Sequence, residues 1–196
     1  MSHNVYHTEG IILSSMNIGE SNRFLYILTK DFGLLGVVAQ GVRELKSKLR
    51  YSLNTLSHTH IDLVRGKEVW RATNTQSLRS FSSLLNDKEK IALYARLSSF
   101  LRRLMPGESA HERLFKEFLS GLDFLEREAL NAEELRSFEA LAVLRILNQL
   151  GYWGESEKFE EFLGEVVWSR EELIRFSLVR IEANKYINHA LKESHL

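Results

Sequence analysis

Near Arg79 the hydrophobic pattern of this chain changes period, and no single layer of structure accommodates both halves. Before that point HTEGIILSSM, RFLYILTK, LLGVVAQG, SHTHIDLVRG and EVWRATNTQSL are short runs rich in Ile, Leu, Val, Thr and aromatic residues, each bounded by Gly, Asn, Asp or Lys turns. After it, Ile91, Tyr94, Leu97, Leu101 and Leu104 recur at helical spacing, followed by Leu114, Phe118, Leu122 and Leu125, then by Leu135, Phe138, Leu141 and Leu144. The pattern predicts an α+β chain: strands over residues 1–80 and an all-α helical bundle over residues 81–196.

Five strands in so short a stretch predict a small antiparallel barrel, with Gly10, Gly33, Gly36 and Gly41 where tight curvature needs bends or bulges. A five-stranded, partly open barrel of this size is the OB fold, with the SH3-like barrel as its structural rival. In the second half, Ser109 with Glu112, Asn131 with Glu134 and Ser169 with Glu172 carry the capping-box signature of helix starts. Pro106-Gly107 and Gly151 read as helix ends. The segment 132–150 is apolar on more than one face, which predicts a helix at the centre of the bundle. A short segment near Glu157 to Leu163 and a last helix from about Arg170 to Lys192 complete the set.

The formal charge of the 196 residues is zero, but the average hides a split. Residues 1–80 carry 10 Lys and Arg against 6 Asp and Glu, and residues 81–196 carry 16 against 20. The two halves therefore suit different partners. The chain has no cysteine, which excludes disulfides, thiolate metal sites and cysteine nucleophiles and fits a reducing compartment. No segment has the apolar length of a signal peptide or a membrane span, so the expected location is cytoplasmic, with the nucleoid if the partner is DNA.

The basic residues concentrate in GLLGVVAQGVRELKSKLR, where a strand runs into Arg43, Lys46, Lys48 and Arg50 with Glu44 as the only acid among them. Cations at this density either stay solvated or meet a polyanion, and a nucleic-acid backbone is the commonest one. With Arg23, Arg65 and Lys67 from neighbouring strand ends they would line a groove that tracks phosphates. Roughly five phosphates on a single strand would give a log–log salt slope of about −3.5. Of the aromatics Tyr6, Phe24, Tyr26, Phe32, Tyr51 and Trp70, most suit a barrel core; Tyr51, directly after the basic turn, is the best candidate to stack on a base. His3, His7, His58 and His60 lack a carboxylate at defined spacing and predict polar surface, not a metal site. No nucleophile elbow, Walker loop, zinc-protease helix or dinucleotide fingerprint occurs, so neither catalysis nor a cofactor is expected. A different class of reading has the basic turn bind an acidic protein surface and never DNA.

Two ordered motifs carry a resemblance. TEGIILSSMNIGESNRFLYILTKDFGLLGVVAQGVRELKSKLRYSLNTLS and, further on, LRSFEALAVLRILNQLGY at residues 135–152 are similar to the N-terminal pattern and the central helix of the RecO family of bacterial recombination mediators. The resemblance implies an OB-fold joined to a helical domain that binds single- and double-stranded DNA, anneals complementary strands and helps load the RecA recombinase. It implies RecR and the acidic C-terminal tail of single-stranded DNA-binding protein as partners. Arg136 aligns with an arginine that receives this tail in the family, and Leu135, Phe138 and Leu141 would supply the apolar pocket for its terminal phenylalanine. The alternative for Arg136 is an ordinary helix arginine whose stem covers apolar surface. Many members of the family carry a zinc-binding cysteine cluster and a basic tail; YWGESEKFEEFLGEVVW has no cysteine, and a short, zinc-less member is expected.

Overall fold

The computed structural model of the protein describes residues 4–67, 69–105, 107–154, 157–164 and 168–193. It divides into two compact units, Met1–Ser83 with Pro106–Phe115, and Leu84–Met105 with Lys116–Leu196.

In the first unit β1 (Val5–Ile18), β2 (Asn22–Thr29), β3 (Gly33–Ala39), β4 (Ser57–Arg65) and β5 (Trp70–Ser80) form a closed barrel in the order β1-β2-β3-β5-β4. This is the OB fold. Two details differ from the sequence reading: the barrel is closed, not partly open, and the β3–β5 pair is parallel. The reason is topological, since strand directions cannot alternate all the way round a ring with an odd number of members. The long β1 pairs with β4 from Val5↔Val64 to Ile11↔His58 and with β2 from Gly10↔Thr29 to Ile18↔Asn22. An irregularity between Ile12 and Ser14 bends it from one neighbour to the other. The interior is filled by Ile12, Leu25, Ile27, Leu35, Val37, Ile61 and Leu63, with Trp70 toward one end.

Gly33 opens β3 at φ +68°, and a Cβ there would lie 2.1 Å from the carbonyl oxygen of Ser109. Both the backbone conformation and the space demand glycine. The segment around Ser109 is further tied to the barrel by Glu108, which accepts a 2.9 Å hydrogen bond from Trp70 Nε1 and lies 3.2 Å from the Arg65 guanidinium.

The second unit holds α1 (Lys88–Leu104), α2 (Glu112–Arg127) from Lys116 onward, α3 (Ala132–Gln149), α4 (Glu160–Leu163) and α5 (Arg170–Glu193). Asp87 caps α1, its carboxylate accepting from the amides of Glu89 and Lys90. Lys90 is buried because its ammonium donates to the carbonyls of Leu125 and Glu128, which the end of α2 leaves without helical partners. Asn131 and Glu134 form the predicted reciprocal capping box at the start of α3. At its other end Gly151, at φ +77°, donates to Asn148 and Tyr152 donates to Leu147, the Schellman arrangement.

The other two predicted boxes differ. Ser169 accepts from the Glu172 amide, but the Glu172 side chain turns inward to Arg145 instead of back to the cap. The Ser109–Glu112 box does not stand where it was predicted, because α2 begins at Glu112 itself, with Phe115 donating to the His111 carbonyl. Of the predicted helix stop at Pro106-Gly107, Pro106 lies outside the described residues, and α1 ends at Leu104.

α3 is central, as its sequence implies: it packs on α1, α4 and α5 and buries Leu135, Phe138, Leu141, Leu144, Ile146 and Leu147. Among them it also buries Arg145, whose guanidinium lies 2.6 Å from Glu172 Oε1 and 3.4 Å from Glu117 Oε1, donates to the Phe162 carbonyl and sits over the Trp168 ring. Two carboxylates share one cation here, and burial pushes the Glu172 carboxyl above its ordinary value against the pull of Arg145.

Gly33→Ala is expected to lower the unfolding free energy by at least about 2 kcal/mol in urea denaturation, because no relaxation removes both the clash and the unfavourable φ. Arg145→Met, which leaves Glu117 and Glu172 buried without their cation, should cost about 3–5 kcal/mol. The raised Glu172 carboxyl holds its proton more tightly in the fold than in the unfolded chain. It therefore destabilises the fold as pH rises from about 4.5 through its folded value. Denaturation across a pH series should show the wild type losing stability relative to Glu172→Gln over that window, and an unchanging difference between them would contradict it.

Candidate nucleic-acid interface and partner groove

In ring order the neighbour of β3 is β5, but the next strand in sequence is β4. Residues 40–56 must therefore cross one end of the barrel. Val42 and Leu53, both fully buried, insert into the barrel core at the two sides of this crossing, and Leu49 packs against it between them. Polar bonds complete the attachment: the Gly41 amide donates to Asn22 Oδ1, the Arg43 amide to the Ser21 carbonyl, and the Leu56 amide to the Ile12 carbonyl. With Val42, Leu49 and Leu53 fastened inward, the charged residues between them face out. Arg43, Lys46 and Lys48 are exposed, Arg50 is half-buried at the end of a short 3-10 turn (Lys48–Arg50), and Tyr51 is 78% exposed.

Arg43 Nη1 donates to the Gly19 carbonyl in the β1–β2 turn, and Arg23 Nη1 to Asn54 Oδ1 in the crossing. The crossing and that turn thus bring Arg23 to the same end as Arg43, Lys46, Lys48, Arg50 and Tyr51. Among the described residues no carboxylate lies within ion-pair distance of any of these five cations.

Arg65 and Lys67 lie elsewhere. β5 runs parallel to β3 with Trp70 beside Val37 and Ala72 beside Ala39, so the β4–β5 turn precedes Trp70 toward the Gly33 end, whereas the crossing leaves after Ala39. Arg65 there is engaged, 5.6 Å over the Trp70 ring and paired with Glu108. At that end Tyr6 meets Phe32 and Trp70 edge-to-face, and Phe32 and Trp70 are tilted 36° to each other, so the three rings pack on one another.

Arg71 was not singled out from sequence, and Phe24 and Tyr26 were named there only among aromatics that mostly suit a barrel core. Phe24 and Tyr26 alternate with the buried Leu25 and Ile27 and so stand on the outer face of β2, their rings 5.1 Å apart. Phe24 lies over Gly36, where a Cβ would come within 2.7 Å of its ring. Arg71, exposed and in register with Val38, joins the outer wall. The period-2 alternation of RFLYILT was the available signal.

Of the histidines, His3 lies outside the described residues. His7 Nδ1 is 2.7 Å from Asp62 and His58 Nε2 is 3.0 Å from Glu9. Burial raises the Asp62 carboxyl, but hydrogen bonds from His7 and Asn74 outweigh it and hold the group below its ordinary value. Among the described residues no three such side chains converge as metal ligands, and no helix is long and apolar enough to cross a membrane.

In the second unit Leu135, Phe138 and Leu141 are buried core, while Arg136 is exposed on the other side of α3. It borders a groove of about 410 Å³ between α3 and α5, lined by Glu139, Ala140, Val143, Arg180, Ile181, Asn184 and Ile187. The apolar side chains beside Arg136 are therefore Ala140, Val143, Ile181 and Ile187. Glu133 sits between the two arginines, bonded to Arg136 and 2.7 Å from Arg180 Nη2, and the Arg180 hydrogen bond holds its carboxyl below the ordinary range.

Residues 1–81 match the family model "Recombination protein O N terminal" and residues 85–153 match "Recombination protein O C terminal". The chain is similar to proteins named DNA repair protein RecO. It is 28% identical to that of Clostridium novyi over 79% of this chain and 59% of the relative. Against Heliobacterium modesticaldum the identity is 30% over 77% of this chain and 53% of the relative, and against Roseiflexus sp. 33% over 78% and 52%. The chain thus spans little more than half the length of the relatives it matches. With both family models met in order, on an OB barrel followed by a helical unit, the chain belongs to the RecO family.

Proposed function

We propose that this chain acts in DNA repair as a recombination mediator: it binds single- and double-stranded DNA without sequence preference, anneals complementary strands, and helps load RecA onto DNA coated by single-stranded DNA-binding protein, with RecR as a further partner. The observation that carries the reading is the crossing at residues 40–56, where a fastened backbone presents unpaired cations at one barrel end. Fixed cations that need no reorganisation favour phosphate contacts, and binding releases counterions. Phe24, Tyr26 and Tyr51 add aromatic surface on which bases of any identity can stack. Annealing would follow from backbone binding alone, since it leaves base edges free to pair.

The groove beside Arg136 suits the acidic, phenylalanine-ended tail of single-stranded DNA-binding protein: Arg136 and Arg180 would meet the carboxylates, and Val143, Ile181 and Ile187 the ring. Glu133 now occupies both guanidinium groups.

Fluorescence anisotropy of a labelled single-stranded oligonucleotide at several salt concentrations tests the DNA reading. Five cations at one end predict a log–log slope of about −3.5, reduced to about −2.1 in Lys46→Ala/Lys48→Ala. The charge reversal Lys46→Glu/Lys48→Glu should abolish binding. Arg65→Ala/Lys67→Ala, at the other end, should leave the slope unchanged. The lysine variants are exposed and should unfold within about 0.5 kcal/mol of wild type, whereas Leu53→Ala should lose about 2–4 kcal/mol. Undiminished DNA affinity in the charge reversal, or no DNA binding at low salt, would replace this reading by a protein adaptor whose basic turn meets an acidic surface. For the groove, calorimetry with an acidic peptide ending in phenylalanine should show weaker binding to Arg136→Ala and tighter binding to Glu133→Ala.

A further inference from the structure

The inner face of α5 buries Leu173, Phe176, Ala183 and Ile187, but its outer face also carries large apolar side chains. Ile174, Leu178 and Ile181 are 59%, 84% and 72% exposed. Their spacing of four and three residues lines them along one side of the helix, a continuous apolar stripe and not scattered surface residues.

Charge frames this stripe symmetrically. Exposed Glu171 stands seven residues before Leu178 and exposed Lys185 seven after it, both on the same helix face. Nearer the centre, Arg175 and Glu182 are already engaged within the chain, by Glu161 and Lys158. A two-fold axis through Leu178 that runs two α5 helices antiparallel would set Leu178 against its own copy and each Ile174 and Ile181 against the opposite stripe. It would set Glu171 of each copy opposite Lys185 of the other, twice over. Among the described residues Lys185 has no ion-pair partner of its own. A parallel pairing would instead oppose Glu171 to Glu171 and Lys185 to Lys185, which repels.

We propose that the outer face of α5 is the interface of an antiparallel homodimer, its occupant a second copy of this chain. The contact is isologous, so it closes as a dimer and does not propagate. One helix pair falls below the roughly 1,200 Å² of standard interfaces, so the association is weak, with a Kd on the order of 100 µM.

Sedimentation velocity on the full chain, from about 10 µM to about 1 mM, tests it. The expected result is a monomer–dimer equilibrium that weakens at least tenfold in Leu178→Glu and severalfold in Glu171→Lys or Lys185→Glu alone, and recovers in Glu171→Lys/Lys185→Glu together. All three positions are exposed, and circular-dichroism melts of the variants at dilution confirm that each remains folded. A monomer at every concentration overturns the proposal. A dimer indifferent to Leu178→Glu, or one that the double reversal fails to restore, overturns it equally.

Discussion

Closing five strands into a ring forces one neighbouring pair to run parallel, and the arrangement of the first unit follows from that. The parallel pair is β3 with β5, so the chain leaving β3 cannot turn back along its neighbour and must cross a barrel end to begin β4. A crossing over an open barrel end has apolar surface to cover. Val42, Leu49 and Leu53 cover it, and in doing so they fix which way the residues between them face. The basic cluster is thus held outward by the same hydrophobic burial that closes the core. A hairpin of the same composition, free to reorient, would have to be ordered by its ligand and would bind more weakly for it.

The two barrel ends are chemically different. At the β4–β5 end the cation Arg65 is consumed by Glu108 and by the Trp70 ring, and Trp70 is in turn held by Glu108. At the crossing end, among the described residues, the cations have no carboxylate partner, and Arg23 and Arg43 are bonded to amide and backbone oxygen. At physiological ionic strength charges act over about 8 Å, so cations at separate ends of a strand do not form one field. Counting the basic residues of the first 80 positions overstates the charge that any one ligand would meet.

α3 carries two arginines with opposite fates. Arg145 lies in the middle of the second unit, where Glu117, Glu172, the Phe162 carbonyl and the Trp168 face surround it; its burial is tolerable only because all of these are present. Arg136, nine positions earlier, points to the groove against α5 and engages Glu133 at the surface. The first is part of what holds α3, α4 and α5 together. The second stays at the surface, paired with Glu133.

How much of this could be read from the residues follows from which interactions are local. The change of period at Arg79, the five strands, the five helical segments, the Asn131–Glu134 box and the stop at Gly151 were all legible, because each depends on neighbours within a turn or along a strand. The basic turn and exposed Tyr51 were legible for the same reason. Tertiary contacts alone decided that Arg65 and Lys67 stand apart from that turn, since this depends on strand order round a closed ring, which no window of sequence encodes. They also decided that Leu135, Phe138 and Leu141 are core while Ala140, Val143, Ile181 and Ile187 border the groove. A helix apolar on several faces does not reveal which of them a neighbour will cover; that depends on where α5, more than thirty residues further along the chain, returns to pack.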